Sequence, residues 1–195
     1  NAHPIVGAFL DKKAVCEGIA KAFKLLCNEY SMKCIVVLGK ADPEGKFDGD
    51  TYHAWNLVKV GNGSYHVDVT WDNMFEREVE HISYDYFNVT TEDILKDHQP
   101  MGKLPICTDI GLNYFHCTKS FVSTYEDLVA LITQRFNART IMFKIKPGSL
   151  EFKTMDEVKA KTYSVLSYAM LVNGVNKKMS VFFNETQWIG KILFL

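Results

Sequence analysis

The feature that most constrains this chain is an amphipathic helix pattern that begins next to a cysteine. A helix is predicted from about Ala14 to Tyr30, with two faces whose residues recur at i, i+4, i+7 and i+11. The apolar face consists of Cys16, Ala20, Phe23 and Cys27, and the polar face consists of Glu17, Lys21, Lys24 and Asn28. Cys16 is therefore predicted to point inward or into a cleft. Free backbone N–H groups and the helix dipole in the first turn favour its thiolate.

The composition is that of an ordinary globular chain. Its 195 residues are 47% apolar and 23% charged, which is enough to bury a hydrophobic core. A net charge of −1 gives no electrostatic reason to bind nucleic acid or an anionic membrane. No apolar run approaches the roughly 20 residues that a membrane span requires. We therefore expect neither a nucleic-acid partner nor a membrane partner, and the sequence does not indicate an oligomeric state.

The cysteines favour a reducing compartment. Their number, five, is odd, so at least one thiol is free, and no two are spaced as Cys-x-x-Cys. A cytoplasmic location is therefore the first expectation. The chain opens on Asn1 rather than Met, so a removed leader, and with it a cell-surface or secreted location, stays open.

Three strands are predicted after the helix. Lys33 to Gly39 is a continuous apolar run rich in β-branched residues, which is typical of a strand buried on both faces. Tyr52 to Val60 and Tyr65 to Trp71 flank a glycine-rich turn and predict a β-hairpin.

The register of this hairpin decides whether a histidine and a carboxylate can meet. If Gly61-Asn62 forms the turn, Asp68 lies opposite Trp55 and one diagonal step from His53, on the same face. If Asn62-Gly63 forms the turn, the two side chains share a face but lie one step further apart. We favour the first register.

Cys16, His53 and Asp68 form the candidate chemical site. Acyl transfer by a thiol needs a thiolate nucleophile, an imidazole that relays its proton, and a group that orients the imidazole. Each residue alone has a structural explanation, since a buried cysteine or histidine is common in a core and an aspartate often accepts hydrogen bonds in a turn. A carboxylate between Val67 and Val69 is costly without a partner, however, and His53 is a candidate partner.

Three sequence blocks together resemble a known family. The blocks are Lys13 to Gly18, Tyr52 to Asn56 and Tyr65 to Asp72, and they resemble the transglutaminase-like cysteine superfamily. The closest likeness is to bacterial transglutaminase-like putative cysteine peptidases. The resemblance implies an α+β fold with a papain-like core, in which a cysteine-bearing helix packs on an antiparallel sheet. It also implies that Trp55 and Trp71 are packing aromatics near the site.

The resemblance also implies the chemistry. Cys16 would be the nucleophile, His53 the general base and then acid, and Asp68 the orienting carboxylate of a triad that acts through a thioester. No feature that would bind an amine is visible, so hydrolysis of peptide or isopeptide bonds in a protein or peptide substrate is favoured. Glutamine transamidation or deamidation by the same triad is the first alternative, and a non-catalytic binding or scaffold domain is the second. The Cys16 backbone N–H is expected to contact the oxyanion, with a second donor unassigned.

The rest of the chain predicts a second region. We expect a catalytic core over residues 1–104, shortened at its N-terminus relative to the family, and a smaller α/β module of unknown role over residues 105–195. Between the hairpin and the module, residues 73–98 are irregular and aromatic, with a short helix over 92–97 that is capped by Thr90 or Thr91. The module's predicted elements are a strand over 113–122, helices over 124–137 and 154–172, and strands over 140–146, 178–184 and 188–194.

No metal or cofactor is expected. His98, Cys107, His116 and Cys117 are permitted zinc ligands, but their spacing fits no standard zinc pattern. The acidic loop from Asp42 to Asp50 lacks the spacing of a calcium-binding EF-hand.

Overall fold

The structure is a computed structural model that describes residues 5–9, 14–49, 51–74 and 82–195. Lys13, Asp50 and the part of the irregular segment over 75–81 lie outside the described residues. The chain divides into two compact units, residues 1–114 and 115–195. The assignment of functional domains to residues 1–104 and 105–195 stays a prediction.

The first unit is a five-stranded antiparallel sheet with a helix packed against it. The strand order is β4-β3-β2-β1-β5, and α2 packs against β1 and β2. This confirms the predicted α+β fold with a cysteine-bearing helix on an antiparallel sheet. Its elements in chain order are α1 (Ile5–Phe9), α2 (Cys16–Glu29), β1 (Lys33–Ala41), β2 (Tyr52–Val60), β3 (Gly63–Val67), α3 (Val69–Met74), β4 (Phe87–Val89), α4 (Thr91–Ile94) and β5 (His98–Pro100).

Helix α2 confirms the two-faced pattern. The first helical hydrogen bond runs from the Ile19 N–H to the Val15 carbonyl, so the helix begins at Cys16. On the predicted apolar face, Ala20 and Cys27 are each 2% exposed. On the polar face, the Lys21 ammonium and the Glu17 carboxylate form an ion pair at 2.6 Å. The helix therefore packs its cysteine row against the sheet.

Strand β1 lies where it was expected, but the prediction that both of its faces are buried is wrong. Cys34 packs with Cys27 of α2, and Val37 packs with Trp55 on the opposite face of the sheet. Ile35 and Leu38 expose 45% and 41% of their surface. Each face of β1 is covered over part of its length, because this is an antiparallel sheet and not a parallel sheet between two helix layers.

The hairpin confirms the favoured register. Val60 pairs with Gly63 and Asn56 pairs with Val67, which makes Gly61-Asn62 the turn. Gly61 has a φ of 59°, and the tight hairpin turns that match strand twist need a positive φ at this position.

The predicted second strand of the hairpin is wrong beyond Val67. Strand β3 ends there and α3 follows it. The cause is Asp68, whose Oδ1 accepts the backbone N–H groups of Thr70 and Trp71 at 2.9 and 3.2 Å. An aspartate side chain that caps a helix in this way competes with continuation of the strand.

The second unit contains two long helices and a four-stranded sheet. The strand order is β6-β7-β9-β8, in which β6 and β7 are parallel and the other neighbours are antiparallel. The elements from its boundary onward are α5 (Tyr114–Cys117), β6 (Phe121–Val122), α6 (Tyr125–Gln134), β7 (Thr140–Ile145), α7 (Met155–Asn173), β8 (Met179–Asn184) and β9 (Ile189–Phe194). The predicted strand over 113–122 is wrong except at its last two residues, because α5 occupies its first half.

The remaining predicted elements of this unit are confirmed within a few residues. Thr124 and Thr154 cap α6 and α7, and each forms a capping box with the acidic residue three positions later. Apolar side chains of both helices share one core cluster with the odd-numbered side chains of β7, so both helices lie on the same face of this sheet. None of the described helices combines the length and the apolar character that crossing a bilayer requires.

Candidate active site

The thiol of Cys16 lies at the N-terminus of α2 and is half-buried. It forms a hydrogen bond with the His53 imidazole and also contacts the backbone N–H groups of Ala54 and Glu17. The Glu17 N–H is one of the free donors that the first turn of a helix presents. The helix therefore places the sulfur at the end of the sheet where the His53 ring lies.

His53 is held by strand pairing and by aromatic rings. It pairs with Gly39 of β1 and is 6% exposed. Its ring centroid lies 6.3 Å from that of Trp55, in a stacked arrangement, and 5.5 Å from that of Trp71. These contacts place both tryptophans beside the candidate site, as the resemblance implied. The two ring nitrogens of His53, at the edge of the imidazole, contact polar neighbours.

Asp68 follows β3 directly and has no exposed surface. Its Oδ1 caps α3, and its Oδ2 accepts the Nε2–H of His53 at 2.7 Å. The carboxylate thus fills both of the roles that the sequence left open, a structural acceptor and a partner for His53. Because His53 Nε2 faces Asp68, Nδ1 is the ring atom left for the Cys16 thiol.

The thiol and the imidazole shift each other's titration. Burial raises the pKa of Cys16, but the hydrogen bond and the charge of His53 lower it, and together with the backbone hydrogen bonds they outweigh burial. The net pKa of Cys16 therefore lies below the ordinary value. Burial lowers the pKa of His53, whereas its bonds to Asp68 and Cys16 raise that pKa to about 9. Both shifts favour a thiolate beside an imidazolium at neutral pH.

The Asp68 carboxylate is ionised in this environment. Burial alone would raise its pKa, but hydrogen bonds from His53 and from a second histidine, His98, lower that pKa to about 2. His98 Nε2 lies 3.0 Å from Asp68 Oδ2, the same oxygen that accepts from His53. One carboxylate oxygen therefore serves two imidazole rings.

A further pair of residues, Asp97 and His98, extends this polar chain. His98 Nδ1 lies 2.7 Å from Asp97 Oδ1, and the Tyr86 hydroxyl donates to Asp97 Oδ2 at 2.8 Å. Sequence reasoning considered His98 only as a zinc ligand and did not find Asp97. The available signal was an acid next to a histidine at the start of a short segment that ends in Pro100.

Sheet pairing explains how His98 reaches the site. Strand β5 pairs with β1 so that His98 lies opposite Ala41, two residues beyond Gly39, which lies opposite His53. Residues two apart on a strand share a face, so His98 and His53 lie on the same face of the sheet. A Cβ at Gly39 would come within 2.8 Å of the Trp55 ring, so glycine allows the close packing at this point.

A third histidine, His66, is buried beside the site in a different state. The Trp55 indole N–H donates to His66 Nδ1 at 3.2 Å, and His66 Nε2 lies 3.2 Å from the Thr91 hydroxyl. Burial and the charge of His98 lower the pKa of His66 to about 4. The ring is therefore neutral at pH 7. Trp55 and His66 also line a largely apolar cavity of about 660 Å³ within the first unit.

His53, Asp68 and His98 are also of the residue types that bind metal ions. Within the described parts of the chain they form a group whose ligand atoms lie within 4.8 Å of one another. Their nitrogen and oxygen atoms hydrogen-bond to each other, which accounts for their burial without a cation. Of the other zinc-ligand types considered, His116 and Cys117 lie on α5, and Cys107 is buried beside Thr91.

Comparison with known proteins agrees with the resemblance. A search of curated proteins found no match. Residues 1–69 match the family model of the transglutaminase-like superfamily, and Cys16, His53 and Asp68 all lie inside the matched segment. Members of that superfamily are generally enzymes, and the match supports cysteine-based acyl transfer as the class of chemistry. Over residues 1–69, this chain is therefore similar to the transglutaminase-like superfamily, which supports the resemblance of its three sequence blocks.

Proposed function

We propose that the first unit is a thiol-dependent acyl-transfer enzyme that uses Cys16, His53 and Asp68 as a catalytic triad. The observation that carries the proposal is the continuous hydrogen-bonded chain from the Cys16 thiol through the His53 ring to Asp68 Oδ2. This arrangement has the three parts that acyl transfer by a thiol needs: a nucleophile, a proton relay and an orienting carboxylate. The opposite pKa shifts of Cys16 and His53 support the same assignment.

The proposed reaction proceeds in two halves. The Cys16 thiolate attacks a carbonyl carbon, the carbon–nitrogen bond breaks, and the departing amine takes the proton from His53, which leaves a thioester. A water molecule then gives a proton to His53 and attacks the thioester, the carbon–sulfur bond breaks, and Cys16 is restored beside protonated His53. Asp68 keeps the ring oriented through both halves by accepting its Nε2–H.

Water is the proposed acceptor, and a peptide or isopeptide bond in a protein or peptide is the proposed substrate. No amine-binding group was identified in the sequence, and this favours hydrolysis over transamidation. If added lysine ester captured the acyl group from a Cys16 thioester faster than water did, the transamidase alternative would replace hydrolysis. Deamidation differs in its substrate, a glutamine side chain, and would show as ammonia release.

The test is alkylation of the thiols by iodoacetamide from pH 4 to about pH 9, followed by peptide mass mapping. An ordinary cysteine thiol has a pKa of about 8.5. Cys16 is expected to react well below that pH, because His53 stabilises its thiolate. The His53→Ala variant is expected to lose this reactivity at low pH. Cys117, an exposed thiol of the second unit, provides an internal reference in the same sample.

Two results would contradict the triad. One is labelling of Cys16 no faster than labelling of Cys117 at low pH. The other is an unchanged pH profile in the His53→Ala variant. Either result would favour the non-catalytic alternative, in which the fold serves as a binding or scaffold domain. His116→Ala is the matched control, since it also removes a histidine ring but at an exposed position of the second unit.

A further inference from the structure

His98 is a buried histidine that the proposed reaction does not use. It is 1% exposed, and both of its ring nitrogens have carboxylate partners, Asp68 Oδ2 at 3.0 Å and Asp97 Oδ1 at 2.7 Å. Burying a histidine between two carboxylates costs desolvation free energy. This cost points to a role for the charge of the ring.

The geometry defines the protonation state of His98. An ionised carboxylate can only accept hydrogen bonds, so a ring nitrogen that faces one must carry a proton. Asp97 also accepts the Tyr86 hydroxyl at its other oxygen. Both ring nitrogens of His98 are therefore donors, and the ring is an imidazolium. His66 shows the contrast, because its Nδ1 accepts the Trp55 indole N–H and so carries no proton.

The charge on His98 acts on His53 by two routes. Both rings donate to Asp68 Oδ2. The hydrogen bond from His98 therefore weakens the one that Asp68 accepts from His53. The two ring centroids also lie 5.5 Å apart, a distance at which a fixed positive charge disfavours a second one.

We propose that His98 is a positioning residue of the triad, a fixed imidazolium that anchors the Asp68 carboxylate and draws part of its charge away from His53. The proposal rests on the proposed function. It addresses a requirement of the reaction, since His53 has to release its proton in the first half and take one up in the second. An unshared Asp68 would hold that proton more tightly and slow its release.

The groups that face His98 come from several elements and include two acids. Asp68 faces it from the end of β3, and Asp97 precedes it on its own segment. His53 of β2 and the Tyr86 ring lie 5.5 and 5.4 Å away between centroids. The charge of His98 acts on His66 of β3. The two carboxylates dominate this set, so they retain the proton on His98.

The test is nuclear magnetic resonance of the histidine ring nitrogens in the full chain, with His53 and His98 assigned by single substitution. In the wild type, His98 is expected to keep the imidazolium signature at both nitrogens from about pH 5 to about pH 8. Titration of His98 to a neutral ring inside that range would overturn the proposal. This measurement needs no variant of His98 beyond the one used for assignment.

The His98→Gln variant tests the effect on His53. Glutamine can still donate to Asp68 but carries no charge, so the pKa of His53 is expected to rise by about one pH unit. An unchanged pKa of His53, including the case in which Cys16 reactivity falls equally at all pH values, would show a merely structural role and overturn the proposal. His116→Gln is the matched control.

The Asp97→Asn variant and the pKa of His53 allow the role of His98 to be tested separately from the proposed function. If His98→Gln does not fold, Asp97→Asn removes one carboxylate and is expected to let His98 titrate, with a smaller rise in the pKa of His53. The pKa of His53 is read directly from its ring, so it is measured whether or not Cys16 is reactive. Loss of Cys16 reactivity in the wild type would contradict the proposed function, whereas an unmoved His53 would contradict only the role of His98.

Discussion

The two compact units of this chain both have apolar cores, but they differ in how their buried ionisable groups are connected. Under the sheet of the first unit lies a chain of buried ionisable groups that includes His53, Asp68, Asp97 and His98. The main core cluster of the second unit consists of apolar side chains from its two long helices and its sheet, such as Leu128 and Phe143. Both units therefore have apolar cores, and the first unit also buries a connected chain of hydrogen-bonded ionisable groups around its candidate site.

This contrast determines which unit responds to pH and to small changes in geometry. Apolar burial is non-directional, and its contribution follows the area removed from water. A buried polar chain stabilises only when each donor and acceptor is matched, and it responds to pH because its members titrate. We therefore expect substitutions in the second unit to change stability without changing chemistry, and pH to affect the first unit more than the second.

The largest expected effect is that of Leu128→Ala in the second unit. Leu128 has no exposed surface, and removing its side chain leaves a cavity beside α6, at a cost of about 2–5 kcal/mol. Hydrogen exchange read on separate peptides is expected to show lost protection over 115–195, with an unchanged pH profile of Cys16 alkylation. Leu128→Met keeps the volume and is the control, at less than about 1.5 kcal/mol. Equal loss of protection in both units would show that they unfold together and would contradict the proposed difference between them.

A smaller effect is expected from pH acting on His66. Its folded pKa of about 4 lies below the ordinary value of 6.5, so between these values the unfolded chain binds a proton that the folded chain does not. The stability that His66 contributes is full above pH 6.5 and is lost as pH falls through 4, by at most about 3 kcal/mol. Asp68 adds a further loss only as pH falls from its ordinary value through about 2.

Urea unfolding at about pH 6 and about pH 4.5, read by peptide-resolved exchange, measures this loss in an interval where His53 and His98, whose folded pKa values are raised, are already protonated. His66→Gln can still accept from Trp55 and donate to Thr91, so it is expected to flatten the pH dependence of the first unit. His116→Gln removes an exposed histidine and is expected to leave the dependence as it is. A second unit that lost as much stability as the first over this pH interval would contradict the proposed division between them.

Local patterns explain why much of the first unit could be predicted from sequence. The helical period around Cys16 and the Gly61-Asn62 turn act over short separations, and the turn sets the register that brings β3 opposite β2. The resemblance then named Cys16, His53 and Asp68 together. Their catalytic roles stay a proposal.

The parts that were not predicted depend on long-range pairing. His98 reaches the site because β5 pairs with β1, some 60 residues earlier, and no periodic pattern announces a three-residue strand. The end of β3 was missed because the alternation of apolar residues continues past Val67, whereas the Asp68 side chain turns the backbone into α3. In the second unit, Thr124 and Thr154 cap the two long helices, which were predicted, and the short α5 has no comparable signal.

The smallest expected effect compares one helix cap in each unit. Thr90 accepts the Asp93 N–H at 3.1 Å, and Thr124 accepts the Asp127 N–H at the same distance. Each change to alanine is expected to cost about 1 kcal/mol, since the bond removed is the same. Only Thr90 precedes the segment that carries His98, because α4 ends at Ile94 and β5 begins four residues later.

Thr90→Ala is therefore expected to speed amide exchange around His98 by about fivefold, the factor that corresponds to about 1 kcal/mol. Thr124→Ala is expected to produce the same change over α6 and to leave the exchange around His98 alone. Thr90→Ser keeps the hydroxyl acceptor and should behave as the wild type. If Thr90→Ala left the exchange unchanged, α4 would be held by the buried Ile94 and not by its cap, and the charged chain of the first unit would then depend on apolar packing, as the core of the second unit does.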